Sequence, residues 1–292
     1  MRSLIRTLLA LVAGVASTAV AAPPADWPTK IRFGVVPTEG GADTTRRFEP
    51  LGELLSRELG VPVEVVSAST YQGVITAMAN EQVEFAWFGP KSYLEAARRA
   101  DAEALLIELN ADGERGYRCI FIVPAGSAIR SLDDARGRKF AFTDPNSTSG
   151  RLIPAMILLE TTKVAPERYF GSVTHSGSHG TSILQTAAGE LEIAVTNDLD
   201  LRRMIQKGAV RESDLRIIHT SELIPGAPIA VRRKLPETLK QAFVAAMKKV
   251  NGDPKMLEIL QNGGFATVRD EEYDILRAAD EFVKEQEKAA GR

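Results

Sequence analysis

Short β-prone runs alternate with segments of helical periodicity along most of this chain, and that alternation restricts the fold more than any single motif does. Residues 30–37 read as a strand that ends in the turn-prone Thr38-Glu39-Gly40-Gly41. Residues 48–59 place Leu51, Leu54, Leu55 and Leu59 on one helical face, and Gly60 stops the helix. A strand at 61–67, a helix at 71–80, a strand at 83–88 and a helix at 92–100 follow, with Gly89-Pro90 as the break. The pattern then restarts. Strands are expected at 119–123, 139–142, 192–196 and 215–219, and helices at 151–160, 181–188 and 201–207. Residues 227–231 return the chain to the first unit, and the tail from Pro236 reads as helical. Such spacing predicts an α/β fold with parallel strands. Crossovers at 112–116 and 223–226 divide it into lobe 1, residues 28–113 plus 226–292, and lobe 2, residues 114–225. Two lobes joined this way predict a clamshell that closes by hinge motion. Ligands of open α/β sheets sit beyond the carboxyl ends of strands. Thr38, Phe88, the loop after residue 142 and Asn197-Asp198 are therefore expected to meet in one interlobe cleft.

Residues 1–21 read as a secretory signal peptide. Arg2 and Arg6 form a basic start, residues 8–15 a short apolar stretch, and Ala19-Val20-Ala21 a small-x-small cleavage site. Cleavage after Ala22 is the alternative, disfavoured because it leaves Pro23 first. The apolar stretch is too short to span a bilayer, and no other segment is long and apolar enough. A soluble periplasmic protein is expected. Losing Arg2 and Arg6 takes the formal charge from −2 to −4. That balance argues against nucleic acid as a partner, and an anionic ligand would need local donors rather than a general positive field. The single cysteine, Cys119, excludes an internal disulfide and a lipid-anchor cysteine after the cleavage site. In its strand-like run it reads as a small buried hydrophobe.

Asp144-Pro145-Asn146-Ser147-Thr148-Ser149-Gly150 packs three hydroxyls into a loop just before a helix. Free N–H groups of a first helical turn, the macrodipole and rotatable hydroxyls together suit an oxyanion. An ordinary N-cap uses the same residues, so the loop alone leaves both readings open. P-loop, dinucleotide-binding and nucleophile-elbow motifs are absent. His175 and His179 have the i, i+4 spacing of a helical metal pair, but Ser176-Gly177-Ser178 and Gly180 oppose a helix there, and no metal or cofactor is expected. His179 reads as an oxyanion donor or as a surface-loop histidine. Tyr71 reads as a cleft phenol or as packing. Trp87-Phe88 reads as a cleft wall or as the buried end of a strand.

These segments together resemble the phosphonate- and phosphite-binding proteins of ABC importers, a branch of the periplasmic solute-binding superfamily. The likeness runs from about residue 30 to 231 and more loosely to the end. It is carried by the hydroxyl loop with Leu152-Ile153-Pro154, by Tyr71 with Gly73-Val74-Ile75, and by Ala86-Trp87-Phe88-Gly89-Pro90 with Ser92-Tyr93. Gly116-Tyr117, His179 with Thr181, and Leu223-Ile224-Pro225-Gly226 with Pro228-Ile229 add to it. The resemblance implies a two-lobed periplasmic binding protein of type II-like α/β fold, with a hinge and an interlobe ligand cleft. It implies that Ser147, Thr148 and Ser149 grip the phosphorus oxygens and that Tyr71 and His179 donate to them.

Relatives that bind 2-aminoethylphosphonate hold its ammonium with carboxylates, and two of those positions align with Leu199 and Ala227 here. Asp198 is the neighbour able to compensate, and a tyrosine of some relatives is replaced by Phe88. An ammonium buried without a partner costs on the order of several kcal/mol. The resemblance thus points to the phosphite-type branch and to phosphite or a small amine-free alkylphosphonate. Phe88 would face the P–H or P–C side, where phosphate would bring a poorly bonded fourth oxygen. The expected ligand-binding set is Thr38, Tyr71, Phe88, Ser147, Thr148, Ser149, His179 and Asp198. The expected partner is an ABC permease, the expected state a monomer, and no chemistry is expected. The alternatives are an exported hydrolase or phosphatase, with Ser147 or Thr148 as nucleophile and His179 as base, and a binder of another small anion feeding a sensor.

Overall fold

The computed structural model describes residues 22–289. The expected signal peptide lies outside the described residues. Thirteen strands fall into two main sheets and a two-stranded ribbon, with ten α-helices around them. In chain order the strands are β1 Ile31–Val35, β2 Val63–Ser67, β3 Phe85–Trp87, β4 Ala102–Glu108, β5 Gly116–Tyr117, β6 Cys119–Pro124 and β7 Lys139–Phe142. After them come β8 Ser172–His175, β9 Ile193–Asn197, β10 Leu215–Thr220, β11 Ile224–Pro225, β12 Pro228–Arg232 and β13 Phe265–Thr267. The helices are α1 Gly41–Leu59, α2 Tyr71–Ala79, α3 Pro90–Ala100, α4 Ile153–Thr162, α5 Pro166–Tyr169 and α6 His179–Ala187. The last four are α7 Asp198–Gln206, α8 Glu237–Lys249, α9 Pro254–Leu260 and α10 Asp274–Ala289. No helix among the described residues is long and apolar enough to cross a membrane.

The first sheet has the order β13-β4-β12-β3-β1-β2 and the second β10-β6-β9-β7-β8. Parallel pairing is confined to β2-β1-β3 and β8-β7-β9. The expectation of parallel strands therefore holds for only part of each sheet. The strand that brings the chain back from the second sheet, β12, runs antiparallel to both β3 and β4. The two crossovers pair with each other, Tyr117 opposite Ile224 and Gly116 opposite Pro225, in the β5–β11 ribbon. A Cβ at Gly116 would stand 2.4 Å from the Ile224 carbonyl, so a glycine there permits the close approach.

Five strands had no counterpart in the sequence reading: β4, β8, β13 and the two short strands of the ribbon, β5 and β11, which fall at the crossovers. β4 follows α3 directly, with Asp101 in the left-handed region as the only break (φ 49°). β8 is a largely exposed edge strand without an apolar face, and β13 has three residues. α1 begins at Gly41, before the apolar periodicity does, because its first turns bury Thr44 and Arg47 instead of aliphatic side chains.

Aromatic packing anchors both sheets. Phe85 stacks on Phe243 with ring centroids 3.9 Å apart, and Phe140 on Phe170 at 4.3 Å. Each such ring removed from water contributes roughly 1.5–3 kcal/mol. Cys119 is fully buried in the same core. The C-terminal α10 lies across both halves, packing on α3 and α4. It adds Lys91–Asp280 (3.9 Å) on one side and Arg151–Glu287 on the other.

Candidate ligand-binding site

Between the two sheets lies a cavity of about 40 Å³. On the same measure one water needs about 10–15 Å³, so the space suits a ligand of a few heavy atoms. It is lined by Thr38, Tyr71, Trp87, Gly89, Glu108, Gly116, Tyr117, Ser147, Thr148 and Ser149, with His179, Asn197, Leu199, Asp200, Arg203, Gly226 and Ala227. The carboxyl ends of β1, β3, β7 and β9 all deliver residues to it.

One wall is the hydroxyl loop. Ser147 is extended and caps the turn, its Oγ accepting the Gly150 N–H at 3.0 Å. The next five residues, Thr148–Leu152, form a π turn closed by the Leu152 N–H to the Ser147 carbonyl (3.2 Å) before α4 begins. Gly150 is a steric requirement, since a Cβ there would sit 1.6 Å from Thr143 Oγ1 and 2.8 Å from Ser147 Oγ. Asp144 ties the loop down: its carboxylate accepts the Asn146 N–H at 2.7 Å and the Tyr71 N–H of the opposite lobe at 3.4 Å. Thr148 Oγ1 accepts the Lys91 N–H, from the first turn of α3, at 2.8 Å. On the cavity side the Thr148 hydroxyl has the Tyr117 phenol as its hydrogen-bond neighbour.

His179 opens α6 behind that loop. Its Nε2 is 3.0 Å from Ser147 Oγ and its Nδ1 3.2 Å from Thr196 Oγ1. Burial pushes the imidazole below its usual 6.5, so it is neutral near pH 7. Burial raises the Tyr71 and Tyr117 phenols well above 10, which keeps both as O–H donors or acceptors rather than phenolates. His175 and His179 are not on one helix: the first ends β8 and the second starts α6.

The other wall is charged. Arg203 Nη1 is 3.1 Å from Asp200 Oδ1, and its Nη2 is 3.5 Å from Glu108 Oε1 of the opposite lobe. The Trp87 indole donates to Glu108 at 2.9 Å, and the Asn262 amide at 2.8 Å. Asn197 caps α7, accepting the Asp200 N–H at 2.8 Å while its amide donates to Asp200 Oδ2 at 2.7 Å. Burial opposes ionisation of Asp200, but His179, Arg203 and Arg47 outweigh it and hold the carboxyl below its usual range. Further out, Glu39 binds Arg47 (2.8 Å) and Lys207, and the Gly180 N–H donates to the Thr38 carbonyl at 3.1 Å, so the lobes are latched. Three buried polar atoms at the cavity lack hydrogen-bond partners: Thr38 Oγ1 and the Nε and Nη2 of Arg203, the last having only its ion-pair contact with Glu108. Buried donors and acceptors are normally satisfied, each failure costing about 1–3 kcal/mol, so such orphans suit a ligand that supplies the missing atoms.

Of the residues singled out from sequence, Thr38, Tyr71, Ser147, Thr148, Ser149 and His179 surround the cavity. Phe88 does not. It is fully buried in the first core, and its neighbours Trp87 and Gly89 reach the cavity instead. Consecutive residues of an extended segment point to opposite faces, so a one-residue shift reverses the assignment. Asp198 is also absent from the lining. Its carboxylate accepts the Arg118 and Leu199 N–H groups at 2.9 and 3.0 Å. Leu199 and Ala227 do line the cavity, as their alignment implied, but carboxylates are present there after all, from Glu108 and Asp200. The sequence held one signal for the second: Asn197-x-x-Asp200 is a cap, and Arg203 follows one turn later on the same face. Glu108 ends the unread β4, and no local pattern marks it; Tyr117 enters with Gly116 only as part of the family likeness, without a role.

Comparison with known proteins followed the same outline. The family model described as "ABC transporter, phosphonate, periplasmic substrate-binding protein" matches residues 33–273. A phosphonates-binding periplasmic protein of Escherichia coli is 29% identical over 243 residues, covering 82% of this chain and 71% of its own. The phosphate-import protein PhnD of Mycolicibacterium smegmatis is 29% identical over 272 residues, covering 86% and 85%. A binding-protein component of an ABC phosphonate transporter from Pseudomonas aeruginosa superposes with TM-score 0.84 at 29% identity, covering 90% and 89%.

Proposed function

Because the chain belongs to the phosphonate-binding family of periplasmic substrate-binding proteins of ABC transporters, we propose that its cleft selects a phosphorus oxyanion without an amine, phosphite or a small alkylphosphonate. It serves in the periplasm and hands its ligand to a membrane permease. The observation that carries the ligand reading is the single small cavity that gathers the Ser147-Thr148-Ser149 turn, Tyr71, His179 and the orphaned Thr38 hydroxyl. Ser147, Thr148 and Ser149 hold the phosphorus oxygens at the start of a helical turn, where N–H groups and hydroxyls face negative charge. Tyr71, Tyr117 and His179 stand beside them as neutral donors. The P–H or P–C side faces Trp87, Leu199 and Ala227 in place of Phe88. The lobes divide at the β5–β11 ribbon, residues 28–113 with 226–292 against 114–225, and closure about it buries the ligand.

No turnover is part of this reading. Ser147 and His179 are within hydrogen-bond reach, but the second nitrogen of His179 meets the Thr196 hydroxyl rather than a carboxylate. An imidazole so placed lacks the hydrogen-bonded carboxylate that orients the base of a catalytic triad. Calorimetry on the mature protein with phosphite, methylphosphonate, ethylphosphonate, 2-aminoethylphosphonate, phosphate and sulfate tests the proposal. Phosphite or methylphosphonate should bind tightest. Binding of no phosphorus compound overturns the ligand class, and tightest binding of the aminophosphonate or of phosphate overturns the amine-free phosphite or alkylphosphonate assignment.

A further inference from the structure

We infer that Arg203 is a specificity-determining residue that serves as the protein's own counter-cation in the cleft, filling the place an ammonium-bearing ligand would need. This rests on the ligand reading above. Two buried carboxylates, Asp200 and Glu108, line the same cavity as the hydroxyl turn. A cavity offering donors at one wall and two carboxylates at another is built for a zwitterion, an oxyanion with a cationic tail. Here the cation is already present. Arg203 is 3% exposed and stands between the two carboxylates, 3.1 Å from one and 3.5 Å from the other. Their remaining lone pairs are held by neutral donors, the Trp87 indole and Asn262 amide on Glu108 and the Asn197 amide on Asp200. Those neutral bonds fix the carboxylates in place whether or not the guanidinium is there.

The consequence for ligands is specific. An ammonium entering the cavity meets a guanidinium of like charge, and the two carboxylates are already offset by Arg203 beside them and by Arg47 behind, whose charge both of them feel. An anionic tail fares no better, because Asp200 and Glu108 flank Arg203, the one cation among the residues lining the cavity. The Nε and Nη2 hydrogens of Arg203, which have no hydrogen-bond partner beyond the ion-pair contact of Nη2 with Glu108, suit a neutral acceptor or an oxygen of the phosphorus group itself. The charged wall thus excludes both kinds of charged tail, by repulsion as well as by fit. Removing the guanidinium should turn the cavity into a cation-seeking one.

The experiment compares the affinity ratio of methylphosphonate to 2-aminoethylphosphonate at pH 8, by calorimetry on the mature protein, in four forms: wild type, Arg203→Met, Arg203→Lys and Arg203→Met with Asp200→Asn. Wild type should favour methylphosphonate by about 100-fold or more. Arg203→Met should bind the aminophosphonate at least about tenfold more tightly than wild type does, as expected for an unpaired buried charge gaining its partner. Arg203→Lys, which keeps a cation there, should retain the wild-type preference, and the double variant should lose the gain. A fall in affinity for both ligands by the same factor in Arg203→Met means that Arg203 only holds the lobes together, and overturns the inference. So does a gain in Arg203→Lys equal to that in Arg203→Met. Should Arg203→Met not fold, Asp200→Asn decides alone: loss of one of the two carboxylates removes negative charge that could attract an ammonium and should raise the preference for methylphosphonate, and a lower preference overturns the inference. Failure of wild type to bind either ligand or phosphite sinks the ligand reading itself, whereas binding with an unchanged ratio sinks only the role of Arg203.

Discussion

The two walls of the cleft solve the same problem in opposite ways. The hydroxyl wall, Ser147 to Ser149 with His179, is buried and neutral, and its groups are bonded mostly to near neighbours in the same lobe. The charged wall, Glu108, Asp200 and Arg203, is equally buried but fully ionic, and it joins residues of both lobes. A neutral wall can accept an anion without first losing a counter-ion. An ionic wall is already committed: Arg203, with Arg47 behind it, offsets Asp200 and Glu108, so the wall governs what the rest of the ligand is allowed to be. The contrast teaches that binding strength and selectivity occupy different walls, and that the second is the more fragile.

Substitutions should expose that difference. The largest effect is expected on the ionic side. Arg203→Met leaves Asp200 and Glu108 uncompensated in the interior and should destabilise the ligand-free protein by about 3–5 kcal/mol, read as a shift in the urea midpoint. On the neutral side, Gly150→Ala forces the π turn off Thr143, and a cost of about 2–4 kcal/mol in stability with loss of ligand binding is expected from thermal melts and calorimetry. If Gly150→Ala binds normally, the turn does not form the oxyanion site. Thr148→Ala removes one hydroxyl and should weaken methylphosphonate or phosphite by about 1–3 kcal/mol with little change in melting temperature. The smallest effect belongs to the rim. Lys207 is 40% exposed, so Lys207→Ala should cost about 0.2–1 kcal/mol.

Acid should separate the walls without mutation. Burial holds His179, and also His175 and His219, below 6.5 in the folded protein. Between those folded values and 6.5 the unfolded chain binds more protons than the folded one. Stability therefore falls as pH drops through that window. Asp200 has the opposite displacement, below 3.8, so its contribution is complete above 3.8 and is lost only as pH falls through its folded value. Urea midpoints measured from pH 8 to pH 3 should fall in two stages. A flat profile between pH 7 and pH 5 would mean that the histidines are not held neutral.

The hydroxyl wall was legible in the sequence because its chemistry is contiguous. Ser147, Thr148, Ser149 and Gly150 adjoin one another, and the strand before and helix after them are each marked by their own periodicity. Tyr71 and His179 were added through the family likeness; the structure places each at a helix start right after a capping residue, Thr70 and Ser178, although the glycines around His179 argue against a helix there. The alternation of strand and helix and the two crossovers were equally readable, since short-range pattern determines them. What only the tertiary structure decided was the partnership of buried charges. Glu108 looks like a solvated residue in the sequence, because a carboxylate is stable inside only when its partner arrives, and that partner, Arg203, comes from the other lobe; the Asp200–Arg203 pair, one turn apart on α7, needed the tertiary structure only to bury it. The face of Phe88 was decided there too, since in an extended segment one residue of register separates a cavity wall from a core.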